Sequence, residues 1–159
     1  MDQKLRTTLL TIADMMRDAH DSWWIIASAA AVLHGADISV HDVDLLVSRR
    51  DGAALLARLG PTRAPSPSDR FRSDLFGCWT GAPLPVDIMA GFQALGSDGW
   101  REIRPASRIA IPLGDTTLPV PSIPELIAHC HLFGRPKDLA RAAILQRLGH
   151  DPAMRPRSA

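Results

Sequence analysis

Nothing in this chain is extreme, and each shortage removes a class of explanation. Eighteen Lys and Arg stand against 17 Asp and Glu, a net charge of +1. A general attraction to nucleic acid does not follow from that balance, although a local basic patch remains open. The two cysteines, Cys78 and Cys130, have no metal-type spacing and read as reduced, partly buried thiols rather than a disulfide framework. No apolar run approaches the ~20 residues that a membrane span requires. Met1-Asp2-Gln3-Lys4 leads into a helical pattern instead of a signal peptide, and no internal repeat is visible. The expected setting is the cytoplasm, with no membrane partner.

The rest is ordinary globular material, 46% hydrophobic and 22% charged over 159 residues, which suits one domain. We expect that domain over 1–150 and a flexible Pro/Arg-rich tail over 151–159. Leu5, Leu9, Ile12, Met15 and Met16 recur at helical spacing, so a first helix should end near His20. Trp23 to Ile26 reads as a buried strand, Ser28 to Leu33 as a short helix closed by Gly35, and Asp42 to Val47 as a second strand. Asp51 can cap a third helix that stops at Gly60-Pro61. Pro61 to Arg72, with three prolines, reads as a mobile basic loop. Strands are expected at Asp74–Trp79 and Leu84–Ala90 as a hairpin, and at Ile109–Leu113 and Thr117–Val120 around Gly114-Asp115; Gly91 to Asp98 has no clear pattern. Ser122-Ile123-Pro124-Glu125 is a capping-box signature. It opens a helix to about Phe133, and a last helix runs from Pro136 to about Leu148. Mixed in this order, the elements give an α/β (α+β) domain, a mixed sheet flanked by helices with a short C-terminal helical tail.

The chemistry concentrates in two places. Asp42 and Asp44 sit two apart in His41-Asp42-Val43-Asp44-Leu45-Leu46-Val47. On a strand they share a face, while Val43, Leu45 and Val47 face the core. A sheet seldom carries two like charges side by side unless a cation lies between them, and a divalent metal with oxygen ligands is the candidate. Asp87, in Val86-Asp87-Ile88-Met89, alternates in the same way, although Pro85 hints at an edge strand. If the two strands are neighbours, three carboxylates meet, as a two-magnesium centre needs, with ions about 3.5–4 Å apart. The turn Ala27-Ser28 opens a helix, where free N–H groups favour phosphate.

Other residues have blander readings. Trp23 and Trp24 are core anchors. His129, Cys130 and His131 point about 100° apart on a helix and cannot face one ion. His34 and His41 flank the aspartate segment in surface or supporting roles. Arg49, Arg50, Arg63, Arg70 and Arg72 are scattered solvated arginines before they are a rim for RNA or a phosphorylated acceptor.

The order of apolar strand, small-Ser turn, helix, Asp-x-Asp strand and later strand aspartate resembles the DNA polymerase β-like nucleotidyltransferases. Trp23 to Ser28 and His41 to Leu45 are most similar to the small antibiotic and abortive-infection branches, as are Ile123 to Ile127 and Gly134-Arg135-Pro136-Lys137-Asp138-Leu139. The resemblance implies a minimal nucleotidyltransferase fold and magnesium-dependent transfer of a nucleoside monophosphate from a nucleoside triphosphate to a hydroxyl on a small molecule, RNA or protein. It implies that Asp42 and Asp44 bind two magnesium ions and that Asp87 binds one and helps to take the acceptor proton. Ala27 and Ser28 would contact the phosphates, with Lys137 as a supporting cation. A homodimer or a small protein partner would complete so small a chain. Three residues depart from the pattern. Ala27 replaces its Gly, harmless at negative φ and strained at positive φ. Cys130 stands where related branches often have Lys, and Arg141 where they often have Asp. The alternative is therefore a degenerate binding protein of this fold, such as a toxin–antitoxin component, without catalysis.

Overall fold

The computed structural model describes residues 1–60 and 62–150; the expected tail 151–159 and Pro61 lie outside them. The order is α1 (Gln3–Met15), β1 (Trp24–Ile26), α2 (Ala27–Leu33), β2 (Val43–Leu46), α3 (Arg49–Leu59), β3 (Phe71–Arg72), β4 (Leu75–Trp79) and β5 (Val86–Ala90). It continues with β6 (Gln93–Gly96), β7 (Gly99–Glu102), β8 (Ile109–Leu113), β9 (Thr116–Val120), α4 (Ile123–Phe133) and α5 (Pro136–His150). The chain is α+β, as expected. Among the described residues no helix is long and apolar enough to cross a membrane.

The main sheet has the order β1-β2-β5-β4. β2 and β5 run parallel, and both flanking pairs are antiparallel. Its two faces separate cleanly. Ile25, Val43, Leu45, Val86 and Ile88 are all fully buried and join Leu5, Leu9 and Ile12 of α1 and Leu126 and Leu145 of α4 and α5 in one core. The alternate residues, Ile26, Leu46 and Met89, form a smaller apolar patch on the other face, together with Asp44 and Asp87. β5 is thus an internal strand. Pro85 does not mark an edge, because it precedes the strand and its carbonyl accepts from the Val43 N–H at 2.9 Å.

Several local expectations give way to tertiary partners. α1 stops at Met15 instead of running to His20. Ser48, not Asp51, caps α3, accepting the Asp51 N–H at 3.1 Å. The buried Asp51 carboxylate instead accepts the N–H groups of His20 and Asp21, at 3.2 and 2.8 Å, and ties the chain before β1 to α3. Residues 93–102, where the sequence shows little pattern, form the β6–β7 hairpin, which joins β3 in a second sheet.

The capping box at α4 also fails. Ser122 occupies the cap position but accepts no side-chain bond. Glu125 turns outward and accepts from the N–H groups of Ala106 and Ser107, at 2.7 and 2.9 Å, and from the Ser107 hydroxyl. Burial would raise this carboxyl, but those three donors outweigh it and hold it below its ordinary 4.5. A depressed acid stabilises the fold above its unfolded pKa and loses that contribution as pH falls through its folded pKa. Glu125→Ala should therefore cost about 1–3 kcal/mol at neutral pH, and the gap to wild type should close in acid, below 4.5. Urea denaturation at several pH values checks this; a gap that persists in acid would mean that packing, not the carboxylate, holds the 106–107 segment.

Candidate active site

The parallel β2–β5 register pairs Asp44 with Asp87, Ile26 of β1 pairs with Asp44, and Cys78 of β4 pairs with Asp87. One row of side chains therefore crosses the sheet on the face away from the core, with two carboxylates in the middle about 4.8 Å apart at the backbone. Asp42 precedes β2 and is exposed, while Asp44 and Asp87 are half-buried. All three line a cavity of about 1190 Å³.

The electrostatics of this row are unbalanced. Burial and the negative charges of Asp42 and Asp87 push Asp44 up from 3.8 to about 7, and Arg141 and Arg135 pull only weakly against them. Asp87 is raised as well, chiefly by burial; a hydrogen bond from Cys78 lowers it, the Asp42 charge raises it and Arg63 lowers it again. Cys78 itself is raised by burial and by its contact with Asp87. Among the described residues no three His, Cys, Asp or Glu side chains close around a common point. The donor set is nevertheless three hard oxygens carrying excess negative charge. That suits magnesium, which keeps several waters and takes only one or two carboxylates alongside phosphate oxygens.

A second wall of the cavity begins where β1 runs into α2. Ala27 has φ 55°, the only non-glycine with positive φ among the described residues. The left-handed conformation costs an L-residue roughly 1–2 kcal/mol. This is the position where the resembled pattern has Gly, and the backbone there does demand the glycine conformation. Ser28 is buried and faces the cavity beside Ala27.

The far wall comes from the C-terminal helices. Gly134 ends α4 in the left-handed region, φ 67°, and turns the chain into Arg135 and α5. Lys137 is exposed on the cavity wall and makes no ion pair among the described residues. Cys130 is buried, its thiol raised chiefly by burial and lowered by contact with Arg141. Arg141 thus brings a guanidinium to the place where a cation seemed lost, and it lines the cavity.

The structure brings Ala27, Ser28, Asp42, Asp44, Asp87 and Lys137 to one cavity. Of the two histidines beside the aspartate segment, His41 joins them, and His34 instead meets the Pro121 carbonyl at 2.7 Å. Sequence reasoning missed Arg135 and Arg141 as site residues. The one available signal was the Asp138–Arg141 spacing of a helical turn. It also missed the cluster of Phe71, Phe92 and Phe133, whose ring centroids lie 5.4–5.9 Å apart. Phe71 lies in β3, Phe92 between β5 and β6, and Phe133 at the end of α4, so no local pattern marks them.

No protein-family model matches the chain, and no curated protein matches it by sequence. Solved structures do. A protein from Thermotoga maritima, provisionally assigned as a nucleotidyltransferase, matches with a TM-score of 0.65 over 88% of this chain and 89% of its own, at 20% identity. The lincosamide antibiotic adenylyltransferase LnuA, in its lincomycin-bound structure, matches with a TM-score of 0.58 over 94% of this chain and 97% of its own, at 14% identity.

Two outcomes follow from this geometry. Ala27→Gly should stabilise the protein by up to about 1 kcal/mol, read by urea denaturation, because it removes left-handed strain from a non-glycine residue; an unchanged or lower stability would show that the turn relaxes in solution. An acid whose folded pKa is raised is favoured when protonated, so with a chelator present wild type should lose stability relative to Asp44→Asn as pH rises from 3.8 to about 7. A difference between the two proteins that does not change with pH would dismiss the raised Asp44.

Proposed function

From the nucleotidyltransferase fold that this chain shares with both neighbours, we propose that it transfers a nucleoside monophosphate from a nucleoside triphosphate to a hydroxyl acceptor, releasing pyrophosphate. The observation that carries the reading is the in-register pair Asp44–Asp87 with Asp42 beside it, facing cations across one cavity.

Asp42 and Asp44 would hold two magnesium ions, and Asp87 would hold one of them. Bound there, magnesium would offset phosphate charge and acidify the attacking hydroxyl. Asp87 would take that proton, and its raised basicity supports a general base better than an ordinary carboxylate would. The Ser28 hydroxyl and the Ala27-Ser28 turn would hold phosphate oxygens, with Lys137 adding charge at the rim. The cavity, about 1190 Å³, exceeds the ~300–1000 Å³ of a usual small-molecule pocket. Nucleotide and a small hydroxylated acceptor would therefore fit together, and a lincosamide-like antibiotic, the acceptor class in the name of one neighbour, is the first to try. The cytoplasm, where triphosphates and magnesium are held, is the compartment this chemistry requires.

The strain at Ala27 favours one other reading, a nucleotide-binding protein of this fold without turnover, such as half of a toxin–antitoxin pair. Calorimetric titration of each nucleoside triphosphate, with and without magnesium, separates the outcomes. Magnesium should strengthen wild-type binding, and Asp44→Asn should lose that gain. Asp87→Asn should keep much of it while turnover falls by roughly 10²–10⁴. Nucleotide binding that magnesium does not strengthen, or strengthens equally in wild type and Asp44→Asn, would overturn the proposal, and magnesium-strengthened binding without turnover on any acceptor would leave the binding protein.

A further inference from the structure

Asp138 and Arg141 lie one turn apart on α5, both turned inward. Asp138 is fully buried and Arg141 is 9% exposed. The Asp138 carboxylate is already filled by Arg135. That guanidinium donates from Nε to Oδ2 at 2.6 Å and from Nη2 to Oδ1 at 3.0 Å, and the Arg135 backbone N–H adds a bond to Oδ2 at 3.3 Å. This is a two-pronged pair, the strongest geometry a carboxylate offers a guanidinium.

Arg141 approaches the same carboxylate only to 3.5 Å, from Nη1 to Oδ1. That is an ion pair without a hydrogen bond, and Nε and Nη1 of Arg141 are buried with no partner. One carboxylate thus serves two guanidinium groups, and a positive charge with idle donors is left over inside the protein. Buried donors are nearly always satisfied, so two idle ones on a single charged side chain call for a partner from outside the chain, water or ligand.

The surplus charge faces the carboxylate row. Arg141 and Arg135 line the cavity with Asp42, Asp44 and Asp87, and the electrostatic pull of both reaches Asp44. Arg135 is held in place as well, its guanidinium 4.7 Å above the centre of the Phe71 ring.

We infer that Arg141, braced by the Asp138–Arg135 pair, is the seat for the polyphosphate end of the nucleotide, opposite the aspartates. A guanidinium fits the two-oxygen edge of a phosphate, and Lys137 extends the positive wall toward solvent. The seat also answers the substitution at Cys130: the cation comes from α5 instead of α4 and lies against that thiol. The identity of the anion rests on the transferase reading; the existence of an anion seat does not.

The test is calorimetric titration of inorganic tripolyphosphate into metal-free protein, with melting curves for every variant. Wild type should bind. Arg141→Met should weaken binding on the order of tenfold or more while melting no lower than wild type, because the unpaired donors are gone. Arg141→Lys should recover part of the loss, and Asp44→Asn should bind at least as tightly as wild type, since a repelling charge is removed. If Arg141→Met melts early, the comparison passes to Arg141→Lys, which keeps the charge, loses the fork, and should still bind several-fold more weakly than wild type. Absence of wild-type binding at millimolar tripolyphosphate, or equal affinity in wild type and the Arg141 variants, would overturn the seat even if magnesium-dependent nucleotide binding fails in Asp44→Asn as the transferase reading requires. Arg141-dependent binding in a protein that turns over no nucleotide would uphold the seat and remove only the transferase reading.

Discussion

Two carboxylates forced side by side by a parallel strand register are the constraint to which the rest of this cleft responds. Asp44 and Asp87 cannot separate without breaking the β2–β5 ladder, and that ladder cannot slip by one residue without turning either Val43 and Leu45 or Val86 and Ile88 out of the core. Hydrophobic burial on one face of the sheet thereby enforces electrostatic repulsion on the other. Burial first, and the charges of Asp42 and Asp87 after it, push Asp44 up to about 7, and a cation supplied from outside would offset both.

The protein's own cations do so only in part. Arg135 is committed to Asp138, and Arg141 is left with surplus charge at the back of the cavity. The cavity therefore has a negative floor and a positive far wall, a polarity that suits a substrate that is an anion where it meets the wall and a metal complex where it meets the floor. Asp138 sets this up by orienting the arginines while remaining out of contact with the cavity. Removing it would strand two guanidinium groups, a far larger disturbance than removing either arginine.

Ala27 shows a different compromise. The chain enters α2 directly from β1 with no residues to spare, so one residue must take the left-handed conformation. Alanine does this at a cost, and the surrounding core over-determines it: Ile25 and Ile26 before it and Ala29, Ala30 and Ala31 after it are all buried. The backbone path is kept although the residue that eases it is absent, which fits a turn whose shape is held by the packing on both sides of it.

Much of the fold was legible because the signals were local. Alternation marked β2 and β5, Gly114-Asp115 marked the β8–β9 hairpin, and the glycine after Phe133 marked the end of α4. Local signals failed where a longer-range partner offered more. Glu125 left its capping box for the 106–107 segment, Asp51 gave up the cap to Ser48, and the exposed β6–β7 hairpin carried too little apolar pattern to be seen. For the site, composition and spacing showed which carboxylates, serine and lysine were available and set Asp42 two residues before Asp44. That Asp87 pairs with Asp44, that Ala27 stands at positive φ, and that Arg141 is buried with donors to spare came from the folded chain alone. Strand pairing, turn conformation and burial each depend on contacts between segments far apart in the chain, and side-chain periodicity along a single segment does not carry that information.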